Sequence, residues 1–66
     1  MKILLNNETT LLNDELTISI LLDQINIRQK YFAVEVNEQI IPKSKHKSFL
    51  IKEGDRIEIV TAIGGG

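Results

Sequence analysis

One stretch of this chain carries a helical period, and it limits what the rest can become. Ile18, Leu21, Leu22 and Ile25 recur at i, i+3, i+4 and i+7, so four aliphatic side chains share one face of a helix. Thr17 stands where an N-cap is wanted, its hydroxyl placed to accept a first-turn N–H. Asn26 supplies a C-terminal stop. A helix of about three turns at most holds its shape only when docked. The face therefore needs an apolar surface to cover it, and the other apolar segments have the period of strands.

Residues 1–5 read as a strand with Met1, Ile3 and Leu5 on one face and Leu4 on the other. Asn6-Asn7-Glu8 is a turn, because asparagine tolerates positive φ, and it favours a hairpin to a second strand at residues 9–12. Asn13-Asp14-Glu15 breaks that strand before the helix, and residues 27–30 form a polar connection after it. Phe32, Val34 and Val36 alternate with Ala33 and Glu35 as a half-buried strand. Asn37-Glu38-Gln39 turns the chain into a short strand at Ile40-Ile41, which Pro42 ends for want of an N–H. A basic surface loop follows, with Lys43, Lys45, Lys47 and a surface-exposed His46. Phe49, Leu50 and Ile51 are expected back in the core. Lys52-Glu53-Gly54-Asp55 is a turn, and residues 56–62 form the last strand, with Ile57 and Ile59 facing inward.

One amphipathic helix and one sheet can bury each other in two layers. With the first and last strands side by side at the sheet centre, the arrangement is an α+β fold of the β-grasp, ubiquitin-like type. The sheet is mixed, with four to five strands and one main helix packed across it. The expected organisation is a single domain at residues 1–62 followed by a flexible glycine tail at residues 63–66.

Sixty-six residues suffice for one domain and a modest core, with only about 3–5 kcal/mol of net stability to draw on. A deep pocket of strained catalytic residues is not expected of such a chain. Eight basic residues face nine acidic ones for a net charge of −1, which argues against nucleic-acid binding. The absence of cysteine removes disulfides, thiolate metal sites and cysteine nucleophiles. His46, the single histidine, completes no triad and no metal site. Met1-Lys2-Ile3-Leu4-Leu5 is too short an apolar start for a signal peptide, and the run Ile20-Leu21-Leu22 ends at Asp23, so no membrane segment is expected. The expected location is the cytoplasm.

The last strand runs into Ile63-Gly64-Gly65-Gly66. Consecutive glycines cannot hold a strand and lose the most entropy when ordered. Such a tail can thread a slot too tight for any side chain, and its terminal carbonyl is open to attack. The bland alternative is a frayed end. Ile63 either caps the sheet edge or anchors the tail in a partner's groove; an apolar anchor adds binding energy that glycines lack.

The segment Val36-Asn37-Glu38-Gln39-Ile40-Ile41-Pro42-Lys43, the strand Gly54-Asp55-Arg56-Ile57-Glu58-Ile59-Val60 and the terminal Gly65-Gly66 together resemble the ThiS-type sulfur carriers of thiamin biosynthesis. The resemblance covers essentially the whole length. Lys43 stands where many members carry arginine, and His46 lies near a position where an aromatic, often tryptophan, is common.

This resemblance implies a carrier without catalytic activity or bound cofactor of its own. An E1-like adenylyltransferase of the ThiF type would use ATP to activate the Gly66 carboxylate. A sulfur donor such as a cysteine desulfurase would convert the adenylate to a thiocarboxylate, and a thiazole synthase of the ThiG type would consume it. Gly66 is then the reacting residue, and Ile63, Gly64 and Gly65 are the partner-binding tail. The residues support one point independently: a sulfur carrier without cysteine must hold sulfur on a carboxyl group, and side chains such as Glu58 sit among bulky strand neighbours. Alternatives are a carrier for molybdopterin or cysteine synthesis, a ubiquitin-like protein modifier, or a β-grasp interaction module with an inert tail. The lysine run reads as a solvated loop or as a docking patch for an acidic partner.

Overall fold

Paired asparagines begin the fold by reversing the chain. The computed structural model describes residues 1–13, 15–27 and 31–61. Strand β1 (Lys2–Leu5) pairs antiparallel with β2 (Glu8–Leu11), Lys2 opposite Leu11 and Leu5 opposite Glu8. Asn6 and Asn7 between them have φ of 49° and 67°. Two consecutive left-handed residues make the turn whose twist matches the flanking strands, and asparagine reaches that region at little cost. Two residues suffice for the reversal, so Glu8 belongs to β2 rather than to the turn. Asn37 (φ 51°) and Glu38 (φ 70°) repeat the device between β3 (Phe32–Val36) and β4 (Gln39–Ile41). Gln39 accordingly joins its strand.

Helix α1 (Ile18–Ile25) is capped at both ends as its sequence indicates. The Thr17 hydroxyl accepts the Ile20 N–H at 3.2 Å, and Asn26 closes the helix in the left-handed conformation. The other first-turn amides are taken up as well. Ile18 N–H donates to the Phe49 carbonyl, Ser19 N–H to that of His46, and Leu21 N–H to that of Thr17. The bond from Leu21 is the first regular helix bond, and the three orphaned donors before it, on Ile18, Ser19 and Ile20, all have partners. Two of those partners come from residues 46–49, which locks that loop onto the helix.

The sheet has the order β2-β1-β5-β3-β4, where β5 is Arg56–Thr61. Strands β1 and β5 are parallel and central, with Leu5 opposite Ile57, and β3 runs antiparallel along β5 from Phe32–Thr61 to Val36–Ile57. This is the β-grasp arrangement. One face packs on α1. Ile3, Val34 and Ile57 meet Ile18, Leu21 and Ile51, each less than 2% exposed. Full burial of such side chains contributes roughly 1.5–3 kcal/mol apiece. Leu22, Ile25, Leu5, Phe32 and Ile59 pack half-buried around this centre.

Three expectations need correction. Residues 43–45 are not simple loop but one turn of 3-10 helix, Lys43–Lys45, started by the fixed φ of Pro42. Leu50 does not return to the core; it stays half-exposed because its backbone, bridged to Thr17, turns the side chain outward between Phe49 and Ile51. His46 is not at the surface. It is 7% exposed, its Nε2 lies 3.2 Å from the Ile41 carbonyl, and its ring stacks on Phe32 with centroids 6.4 Å apart. A carbonyl can only accept, so Nε2 carries the proton in that contact. The half-polar imidazole is buried because that hydrogen bond meets its polar need while its face covers an aromatic.

Candidate functional site

Ile63, Gly64, Gly65 and Gly66 lie outside the described residues, so the site is characterised by the platform they leave from. That platform is the end of β5. β1 accompanies β5 only as far as Ile57, after which the Asn6 side chain takes over. Asn6 N–H donates to the Ile57 carbonyl at 2.8 Å, and its Oδ1 accepts the Ile59 N–H at 2.8 Å. Past that point β5 is paired on the other side by β3, and its final residue, Thr61, stands opposite Phe32.

At its start, β5 is held in register by a closed polar network. Arg56 N–H donates to the Asn37 side chain at 3.0 Å, Asn37 donates to Asp55 at 3.1 Å, and Asp55 also accepts the Lys52 N–H at 2.8 Å. Gly54 turns there with φ +83°, a conformation that disfavours any side chain. A hollow of about 250 Å³ beside this network is lined by Leu4, Glu38 and Arg56, the last two 3.8 Å apart as an ion pair. Its polar groups are engaged with one another, so we read it as structural.

Two surfaces flank the exit of β5. The first is the sheet face turned away from α1. Val60, 51% exposed, stands opposite Ala33, and Ile40, 68% exposed, stands opposite Glu35. Glu58 is the register partner of Glu35. Cross-strand partners project to the same face, so two carboxylates face each other within an apolar surround, a pairing that costs stability by itself.

The second is a groove of about 310 Å³ on the helix side, lined by Ser19, Leu22, Asp23, Ile27, Phe32, Lys43, His46 and Lys47. The Lys43 ammonium lies 5.8 Å from the Phe32 ring centroid, within range of a cation–π contact. The lysine run is therefore partly the wall of a groove rather than a loop facing only water. The period of the strands located the exit of β5. Sequence reasoning missed the groove, because it forms only when His46 folds in beneath Phe32. The signal was there in kind: His46 falls near a position where the resembling carriers often carry an aromatic.

Among the described residues no cluster of three histidine or carboxylate side chains is placed to hold a metal ion, and no helix is long and apolar enough to cross a membrane. The ring of His46 is held by Ile41 and Phe32.

Comparison with known proteins places this geometry. The ThiS family pattern matches residues 2–66. The chain is 32% identical over 66 residues to the sulfur carrier protein ThiS of Escherichia coli, covering all of both chains. It is 36% identical over 66 residues to a thiazole synthase of Paramagnetospirillum magneticum, all of this chain aligning with 20% of that protein. The chain thus spans a fifth of the length of that relative. The crystal structure of the thiamine biosynthesis protein ThiS from Geobacter metallireducens superposes with a TM-score of 0.88 at 25% identity, covering all of both chains.

Proposed function

The chain belongs to the ThiS family, and from that premise we propose that it is a sulfur carrier for thiamin thiazole synthesis, with Gly66 as the residue that bears the sulfur. The observation that carries the reading is that the family match runs to residue 66 and so includes the glycines that follow the central strand. A bare glycine carboxylate on a narrow stem suits attack in a confined site, where any Cβ would hinder approach.

The carrier supplies the carboxylate and its partner the machinery. A Gly66 carboxylate oxygen attacks the α-phosphorus of ATP held by an E1-like adenylyltransferase, and pyrophosphate leaves. The terminal sulfur of a donor persulfide, such as one made by a cysteine desulfurase, then attacks the carbonyl carbon, and AMP departs with the original carboxylate oxygen. A thiol reductant cleaves the resulting acyl disulfide, releasing the thiocarboxylate and leaving the donor cysteine in a disulfide with that thiol. The net change is one oxygen for one sulfur, with no change in oxidation level at carbon. Thiazole synthase takes the sulfur from the resulting thiocarboxylate. The relative in which a chain of this kind is continuous with a thiazole synthase supports that partner.

Docking is assigned to the sheet face around Val60, because it adjoins the exit of β5 and is the apolar face that α1 leaves uncovered. The facing Glu35 and Glu58 carboxylates call for a basic group on the partner at that point. Gly64 and Gly65 form the stem, and Ile63 anchors it. The carrier itself performs no catalysis. The test is intact-mass analysis of the protein isolated with its activating enzyme, ATP and sulfur donor. A mass gain of one sulfur less one oxygen, lost on treatment with thiazole synthase and its substrates, is the expected result. A carrier that stays at its encoded mass under all these conditions would sink the proposal.

A further inference from the structure

The helix-side groove has no part in the carrier chemistry above, yet it opens beside the point where the tail begins. Its lining includes the apolar Leu22, Ile27 and Phe32, the cations of Lys43 and Lys47, and one carboxylate, Asp23. Thr61 is the register partner of Phe32, which puts their Cα atoms about 4.5–5.5 Å apart with side chains on the same face. Five residues follow Thr61: Ala62, Ile63, Gly64, Gly65 and Gly66. At up to about 3.3–3.6 Å per residue their reach easily exceeds the distance from Phe32 to Lys43, whose Nζ lies 5.8 Å from the Phe32 ring centroid; Lys47 lines the same groove. The composition of this segment matches the groove. It brings one branched aliphatic side chain for an apolar lining, glycines that can turn without obstruction, and one terminal anion for two cations.

We propose that in the free carrier residues 63–66 dock in this groove of their own chain. Ile63 lies on Leu22, Ile27 and Phe32, and the Gly66 carboxylate lies at Lys43 and Lys47. The tail is thereby withheld until a partner displaces it. That consequence rests on the carrier reading; the docking itself does not. Exposed ion pairs are weak and ordered glycines lose much entropy, so the docked and free forms exchange rapidly.

The experiment is NMR of the isotopically labelled full chain against a chain ending at Ala62, each with and without Lys47→Glu. Removing residues 63–66 should shift the ring resonances of Phe32 and His46 and the methyl resonances of Leu22 and Ile27, and leave Leu11 across the sheet unmoved. Lys47→Glu should move the Phe32 and Leu22 resonances toward their truncated positions in the full chain and have a much smaller effect in the truncated one. The truncation shifts should shrink between about 0.1 M and about 1 M salt, as the Debye length falls from about 10 Å to about 3 Å. Shifts confined to Thr61, Phe32 and their strands, with the Leu22 and Ile27 methyl resonances unmoved, or a Lys47→Glu effect equal in both chains, would overturn the proposal. If Lys47→Glu disturbs the core methyl resonances of Leu21, Lys47→Gln replaces it. No partner enzyme enters these measurements, so their failure leaves the carrier chemistry standing, and a failure of that chemistry leaves them interpretable.

Discussion

Asn6 holds β5 in place beyond the end of β1. Its backbone sits in the left-handed region, its N–H bonds Ile57, and its Oδ1 takes the Ile59 N–H where β1 has already ended. Two costs can be separated there. Asn6→Gly keeps the backbone conformation and removes the acceptor, for a loss of about 0.5–1.5 kcal/mol. Asn6→Ala removes the acceptor and also strains the backbone, adding about 1–2 kcal/mol. Urea unfolding of the two variants should rank them in that order, and equal midpoints would show that the left-handed backbone contributes nothing. His46 shows the other side of residue-scale reasoning. Its polarity and its lysine neighbours place it at the surface by composition. The fold buries it because Ile41 offers a carbonyl and Phe32 a ring, and both are brought in by long-range pairing that a local reading does not contain.

Among the elements, α1 is the one whose loss the molecule cannot absorb. Leu21 is 1% exposed at the centre of the core, whereas Leu22 is half-buried at the edge of the groove. Leu21→Ala should therefore cost about 2–5 kcal/mol, enough to unfold much of so small a domain, and Leu22→Ala distinctly less. Thermal or urea melts of the two variants check this, and equal losses would contradict the assigned helix rotation. The elements themselves were legible because local rules and tertiary demands agree. Thr17 and Asn26 cap the helix from their own side chains and backbone preference, and the alternation of Phe32, Val34 and Val36 is the alternation of burial. The turns were legible in place, and their lengths were overstated by one residue because two left-handed residues complete each reversal. The short 3-10 helix after Pro42 was not legible, since lysine and serine carry no period and its position is fixed by the bond from Ser19 N–H to the His46 carbonyl. Of the site, the exit of β5 followed from period two. The groove did not, because it depends on the buried His46.

For the whole molecule, the proposed carrier role divides the chain into the sheet-and-helix body and the reacting Gly66. The proposed activating enzyme and thiazole synthase both need the same end and the same face around Val60, so they should compete for one carrier. Sedimentation or size-exclusion analysis of the three-component mixture should show two binary complexes, and a stable ternary complex holding a single carrier would contradict the shared surface. The central claim is that Gly66 bears the activated carboxylate, and the most direct measurement pairs a thermal melt with ATP–pyrophosphate exchange by the activating enzyme, for the full chain and for the chain lacking Gly66. Placement errors of about 1 Å can cost on the order of 100-fold in rate, and removing one residue withdraws the carboxylate by about 3.3–3.6 Å. The account predicts an unchanged melting temperature and a loss of exchange of at least about 100-fold; a shortened carrier that supports exchange at the full rate would contradict it.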